Sequence, residues 1–341
     1  MTILYLSPFF LALGLSLLCT GMCIWISRHV SFPKRRTEKR HIHPQNVSRL
    51  GGVAIIAAFL VTVFLDPHLV ISSQLWGIVV ASALILAVGL LDDLREIDWR
   101  TQLFFHIAVG AIIFIMGIRV EYITNPFGGL LFLTIGTSLL PGILFVIGWI
   151  VLMMNVMNWS DGVDGVSGSI ATIGALTIFG LTLSPEVNQP PVGIIAMAFA
   201  GAVLGFLLFN FYPARIVAGT SGSLFMGFML GALAIFAGAK IATALLIMAI
   251  PITDALWVLW ERFRSGESLT APDQRHLHYR LLALGWSQRQ VAVFLASFTT
   301  LIGAVALNTR TIGKAITLIL VGIIIFGMLA LVKKKIKVKM Q

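Results

Sequence analysis

Charge is scarce in this sequence: 11% of its 341 residues are Asp, Glu, Lys or Arg, against roughly 25% in an ordinary soluble domain. That excludes a mainly water-facing surface. Cysteine is almost absent too. The two present, Cys19 and Cys23, lie one helical turn apart in an apolar run, which supplies neither a disulfide framework nor a zinc site; they read as packing residues. Polar linkers, low-complexity tracts and obvious repeats are lacking, so residues 1–341 are taken as a single integral membrane domain. What the chain has in quantity is apolar length, with 58% hydrophobic residues and a mean hydropathy of +0.97.

Runs of about 18 or more apolar residues read as bilayer spans, and lipid permits only helices or closed barrels to cross it. The runs are continuous rather than alternating, so the expected fold class is an all-α polytopic membrane protein. Eleven helices are predicted, near 3–27, 51–66, 74–91, 102–120, 137–157, 165–184, 192–211, 221–239, 241–260, 290–308 and 313–332. The first has no basic leader or small-residue cleavage site and is read as a retained helix. With the N-terminus outside and the C-terminus cytoplasmic, the inside segments are 28–50, 92–101, 158–164, 212–220, 261–289 and 333–341. They hold 20 of the 24 Lys and Arg, as the positive-inside rule requires. The net charge of +10 is thereby assigned to topology and anionic lipid, with no nucleic-acid partner.

The acids choose the same side, which topology alone does not demand. Asp92, Asp93, Glu96, Asp98, Asp161, Asp164, Asp254, Glu261, Glu267, Asp273 and Glu38 lie in or beside the inside segments; Asp66, Glu121 and Glu186 do not. Carboxylates near apolar helix ends are costly unless paired or bound to a cation. Their gathering at one face argues against a channel or transporter, whose sites sit near the bilayer midplane. It suits an enzyme that takes one substrate from water and another from lipid.

Five segments carry candidate chemistry. Asp92-Asp93 ends the third apolar run, and adjacent helical residues point about 100° apart, so one carboxylate can face a site while the other serves a different partner. In Asn155-Val156-Met157-Asn158-Trp159-Ser160-Asp161-Gly162-Val163-Asp164-Gly165, an amide or carboxylate recurs every three residues. On a helix each step of three turns by about −60°, so neighbours in this stripe share a face, and their hard oxygens suit Mg²⁺ completed by substrate phosphates; the alternate-position acids of an EF-hand are absent. Gly219-Thr220-Ser221-Gly222-Ser223 opens the eighth run and reads as an N-cap or an anion site, with Ser221 the candidate ligand. In Asp273-Gln274-Arg275-His276-Leu277-His278-Tyr279-Arg280, Arg280, His276 and His278 can hold phosphate oxygens, although a solvated surface has the same composition. The basic stretch Lys34–Pro44, followed by Arg49, is explained by topology and can also attract a lipid phosphate.

These segments, in this order and on one side, resemble the polyprenyl-phosphate N-acetylhexosamine-1-phosphate transferases, and more distantly the phospho-MurNAc-pentapeptide translocase. The resemblance runs from about Arg36 to Leu282, and Asn-x-x-Asn-x-x-Asp-Gly-x-Asp-Gly is its most specific part. It implies transfer of an N-acetylhexosamine-1-phosphate, GlcNAc-1-phosphate first, from a UDP-sugar to a polyprenyl phosphate such as undecaprenyl phosphate. UMP is released, and a cell-envelope glycan is begun. By the same resemblance Asp92 and Asp93 are the catalytic pair, Asn158, Asp161 and Asp164 hold Mg²⁺ (or Mn²⁺) and the nucleotide sugar, and His276 and His278 bind pyrophosphate. Asn155, Arg49, Ser221 and Arg280 complete the expected substrate contacts. The setting implied is a bacterial or archaeal cytoplasmic membrane, with a homodimer left open. Two departures stand out: Thr220 occupies the place of a magnesium-ligating Asp, and Tyr279 that of a second consecutive His. A neutral hydroxyl is a poorer ligand, so the competing expectation is a catalytically impaired member that binds lipid phosphate or nucleotide sugar.

Overall fold

The structure is a computed structural model, and it describes residues 2–30, 47–125, 128–238, 240–268 and 274–339. The basic stretch Lys34–Pro44 and Asp273 lie outside the described residues. In chain order the helices are α1 (Thr2–His29), α2 (Gly51–Leu65), α3 (Ser73–Arg95), α4 (Trp99–Ile115), α5 (Leu140–Ser160), α6 (Val166–Thr182), α7 (Pro190–Asn210) and α8 (Gly219–Phe236). They continue with α9 (Ile241–Ile247), α10 (Ala249–Ser265), α11 (Leu277–Ala283), α12 (Gln288–Asn308) and α13 (Thr311–Lys339). Local signals set the ends. Ser72 caps α3 through Leu75 N–H, Asp98 caps α4 through the amides of Arg100 and Thr101, and Ser287 with Gln290 forms a capping box on α12.

Seven of these helices are long and apolar enough to cross a bilayer, or eight if the bent pair α9–α10 is one span; α2, α4 and α6 are apolar but shorter. The protein is therefore an integral membrane protein. The run read as one straight helix over 241–260 bends by 73° between α9 and α10. Pro251 follows the break; it has no N–H to bond back to Ile247, the last residue of α9. A short antiparallel hairpin, β1 (Tyr122–Thr124) with β2 (Leu130–Phe132), lies between α4 and α5.

Helix α8 is the axis of the bundle. Gly219 through Ile235 are all buried, and α2, α3, α5 and α6 pack around it. This inverts the usual amphipathic helix, since a helix surrounded by protein inside a membrane has no polar face to present. Helices α1 and α13 are the outer ones, with apolar residues such as Leu18, Met22, Ile319 and Ile323 exposed. The first turn of α8 is therefore held at the centre of one end of the bundle. The ends of α3 and α5 converge on it there.

Candidate functional site

The chain after the basic stretch runs beside the segment that precedes α8. Val217 N–H bonds to Ser48 O at 2.8 Å, and Gly52 N–H to Ala218 O at 2.8 Å. This pairing brings Arg49 to the acid pair, where its Nη1 lies 3.4 Å from Asp93 Oδ1.

Asp92 and Asp93 have separate partners, as 100° of helical rotation suggests, but they also share one. Both reach Thr220. Its hydroxyl donates to Asp92 Oδ2 at 2.7 Å and lies 3.4 Å from Asp93 Oδ1, while its N–H donates to Asp93 Oδ2 at 2.8 Å. Asp92 Oδ1 accepts from Ile97 N–H at 3.0 Å and from Gln102 Nε2 at 2.8 Å. Two buried carboxylates are thus tied to the first turn of α8, whose free amides and positive dipole end favour anions. Gly219 makes this approach possible. Its φ is +69°, and a Cβ there would lie 2.4 Å from Arg49 O and 2.5 Å from Asp93 Oδ2.

The Asn/Asp stripe is helical only as far as Ser160. Asp161 caps α5, and residues 161–165 turn into α6, so the helical spacing that puts neighbours on a shared face does not carry on to Asp164. Asn155 Nδ2 points back to His106 Nδ1 at 3.1 Å and to Val151 O at 2.7 Å. Asn158 Oδ1 accepts from Ser223 Oγ at 2.8 Å, Ser167 Oγ donates to Asp161 Oδ1, and Ala214 N–H donates to Asp164 Oδ2 at 2.9 Å. Asn210 anchors the turn by accepting from Gly165 N–H at 3.0 Å. Burial pushes the Asp161 carboxyl up to about 7; the charges of Asp93 and Asp164 add to this, while the Ser167 hydroxyl and Arg49 oppose it. The acid pair, the turn and Arg49 thus share one electrostatic environment.

Helix α11 closes the site. A Cβ on Gly162 would meet His278 Nε2 at 2.4 Å and the Tyr279 hydroxyl at 2.6 Å, so the turn and α11 are in contact. Burial, with the neighbouring His276, holds the His278 imidazole well below its ordinary value, so it is neutral at pH 7. His276 stacks on Trp159.

Two expected ligands are placed otherwise. The Ser221 hydroxyl is fully buried where Gly52 of α2 and Gly89 of α3 meet α8, and α8 has Ala218 at its N-cap with no side-chain cap. Ser223, one turn on the helix's inner side, contacts Asn158 instead. Arg280 is paired with Glu261, which also binds Lys333 Nζ at 2.8 Å; its Nε donates to Arg275 O. Replacing Arg280 by Ala is expected to lower the melting temperature in detergent, because Glu261 loses its buried partner, and to leave the donor KM within about twofold. A donor KM raised without loss of stability would place Arg280 on the ligand.

Gln102 and Ser167 are not among the sequence candidates, since a single polar residue at a helix end gives little signal for its partner. Among the described residues, no three His, Cys, Asp or Glu side chains form a ready-made metal cage. Mg²⁺ does not need one, since it is commonly bound by one or two carboxylates together with substrate phosphates. The donors here are all hard oxygens, and the buried Asp161 carboxylate, with Asp93 and Asp164 near it, is one whose charge a cation would stabilise. The residues present fit the ion.

Residues 75–238 match the family described as Glycosyl transferase family 4. The decaprenyl-phosphate N-acetylglucosaminephosphotransferase of Mycolicibacterium smegmatis is 32% identical to this chain, covering 87% of it and 79% of the relative. A Bacillus subtilis protein, named as a probable undecaprenyl-phosphate N-acetylglucosaminyl 1-phosphate transferase, is 28% identical over 87% of this chain and 85% of its own. The phospho-N-acetylmuramoyl-pentapeptide-transferase of Chlorobium chlorochromatii is 25% identical over 79% and 83%. Similarity of that extent, running through both the bundle and the acid-rich end, makes this chain a member of glycosyl transferase family 4, the polyprenyl-phosphate N-acetylhexosamine-1-phosphate transferases.

Proposed function

We propose that this protein transfers an N-acetylhexosamine-1-phosphate, most simply GlcNAc-1-phosphate, from a UDP-sugar to a polyprenyl phosphate such as undecaprenyl phosphate. The observation that carries the reading is that Asp92, Asp93 and Arg49 meet at the first turn of α8, where Asn158 also bonds to Ser223, while the turn after Asn158 that holds Asp161 touches His278. An oxygen of the lipid phosphate forms a bond to the sugar-linked phosphorus, the bridging P–O bond breaks, and UMP leaves with that oxygen. A phosphate monoester with a second pKa near 6 is already mostly a dianion at neutral pH, so Asp92 and Asp93 have orientation as their main task, with removal of a residual proton where one remains. His278, neutral, offers a hydrogen bond to the diphosphate, and Arg49 offers charge. Asn158, Asp161 and Asp164 would hold Mg²⁺, which supplies neutralisation of the diphosphate charge when bound.

In this reading the N-terminus lies outside, α2, α4 and α6 cross as tilted or protein-shielded spans, and the site faces the cytoplasm, where UDP-sugars are made. Incubating membranes with a panel of labelled UDP-sugars and identifying the lipid product tests the proposal. A labelled polyprenyl-diphospho-sugar formed with UMP is the expected result; no labelled lipid from any UDP-sugar would refute it.

A second reading has a specific observation behind it. The Thr220 hydroxyl and amide donate to both members of the acid pair, which suits a member that binds its ligands but transfers poorly. Replacing Thr220 by Asp separates the two. An impaired member should gain Mg²⁺-dependent UMP release several-fold, whereas an enzyme already adapted to Thr220 should lose activity, since a third carboxylate then faces Asp92 and Asp93.

A further inference from the structure

A cavity of about 740 Å³ lies where the end of α10, helix α11 and the end of α13 meet. Its charged lining is unbalanced, with Arg264, Arg275, Arg280 and Lys333 set against two carboxylates, Glu261 and Glu267. Both carboxylates are already engaged. Glu261 holds Arg280 and Lys333, the latter at 2.8 Å, and Glu267 holds Arg275 at 2.5 Å. Among the described residues no carboxylate pairs with Arg264, whose guanidinium lies over the Trp260 ring at 5.1 Å. The wall of this cavity therefore has an excess of positive charge, and an anion is what would balance it.

The cavity also sits at the height of a bilayer surface. The apolar run of α13 ends at Val332, and Lys333 opens its lysine run. About two helical turns before Lys333, Phe326 packs against Trp257 and Trp260, with ring centroids 4.3 and 6.2 Å apart. Tryptophan thus stands at the boundary between apolar and charged surface, as it does in membrane interfaces. Phe263 and Leu331, each within two positions of a lining residue, are exposed, and on membrane helices such side chains face acyl chains. A soluble nucleotide would use the charge and leave this apolar flank uncovered; a phospholipid uses both.

We propose that the cavity binds the phosphodiester headgroup of an anionic phospholipid, in the leaflet on the side of the candidate site, with Arg264 as a principal contact. Basic pockets between membrane helices take such headgroups, and a guanidinium fork matches phosphate oxygens. The occupant is bilayer lipid rather than the reacting polyprenyl phosphate, because neither Asp92 nor Asp93 lines the cavity. The site is nevertheless next door. Tyr279 lines the cavity from α11, and its hydroxyl lies against Gly162, the neighbour of Asp161. A headgroup held here braces the helix that closes the site.

Native mass spectrometry of the purified full chain in a neutral detergent tests the proposal, with phosphatidylglycerol, phosphatidylcholine and inorganic phosphate as probes. The first phosphatidylglycerol should bind about tenfold more tightly than the first phosphatidylcholine, the scale of one hydrogen bond to a charged group, and excess inorganic phosphate should not displace it. Arg264 is exposed, so Arg264→Gln should leave the fold intact while erasing most of that preference, and Arg264→Lys should restore part of it. Lys334→Gln is the control for general attraction. It removes the same charge from an exposed position outside the cavity, and in physiological salt should change binding by less than about twofold. Equal affinity for the two lipids, or a preference unchanged in Arg264→Gln, would overturn the proposal. So would an equal loss in Lys334→Gln, which would mean diffuse attraction, or displacement by inorganic phosphate, which would mean a site for a soluble anion.

Discussion

Asp161→Asn is expected to cut transfer by on the order of 10²–10³-fold, the usual loss when one preorganised charge-stabilising group is removed from a site, and yet to make the metal-free protein more heat-stable. The two effects have one origin. Burial and the charges of Asp93 and Asp164 push the Asp161 carboxyl up to about 7, far above its unfolded value near 3.9. A raised carboxyl pKa means that the native state holds the proton more tightly than the unfolded chain. Native stability therefore falls as pH rises above about 4, and the loss is complete once pH passes about 7. At pH 7.5 the ionised group strains the site, and the neutral Asn removes that strain while keeping an acceptor for Ser167. Thermal melting without divalent cation, at pH 5.5 and pH 7.5, checks the sign: the variant's advantage should be larger at pH 7.5. Mg²⁺ should stabilise the wild type more as pH rises through 7, because cation and proton compete for one carboxylate. Activity retained by the Asn variant would refute the proposed metal role; an advantage that shrinks at pH 7.5 would show that the carboxyl is not crowded.

The membrane class and the order of the polar segments were legible because both depend on composition along the chain. Apolar runs as long as those of α3, α7 and α13 admit one reading in lipid. Partners across the bundle were not legible. Asn155 and Asn158 have the same residue type and lie three positions apart, but α5 sends one to His106 and the other to Ser223, and that choice is made by where α4 and α8 pack. Ser221 looked like an anion ligand because Ser and Gly before an apolar run suggest a cap. In the structure the helix begins two residues earlier, at Gly219, and Ser221 falls on the face that touches α2 and α3. Arg280 looked like a phosphate clamp because its partner Glu261, which Lys333 shares, lies on α10, and no local pattern joins α10 to α11. The bend at Met248 did have a signal, Pro251, hidden inside a run whose hydropathy reads as continuous. Asp254 is the instructive case: it counted only as an acid near a helix end until the start of α11 folded back onto it, bringing His276 Nδ1 to 2.8 Å.

Gly219→Ala is expected to lower transfer by on the order of 10²-fold, the cost of displacing a catalytic group by about an ångström, with little change in the amount of folded protein. The new methyl group would lie 2.4 Å from Arg49 O and 2.5 Å from Asp93 Oδ2, so the Arg49 segment or the carboxylate must move. The backbone contributes as well, because φ of +69° costs a residue with a Cβ roughly 1–2 kcal/mol. Both forces act where Thr220 N–H grips Asp93, and the rest of α8 remains packed along its buried length. Thr220→Val is the control. It keeps the amide and the side-chain volume and removes only the hydroxyl from Asp92 Oδ2, so its loss should be nearer tenfold, about one hydrogen bond. If the two variants lose equally, the hydroxyl rather than the α8 backbone holds the acid pair. If Gly219→Ala loses nothing, the acid pair does not need the first turn of α8, and the convergence on which the transferase reading stands is incidental packing.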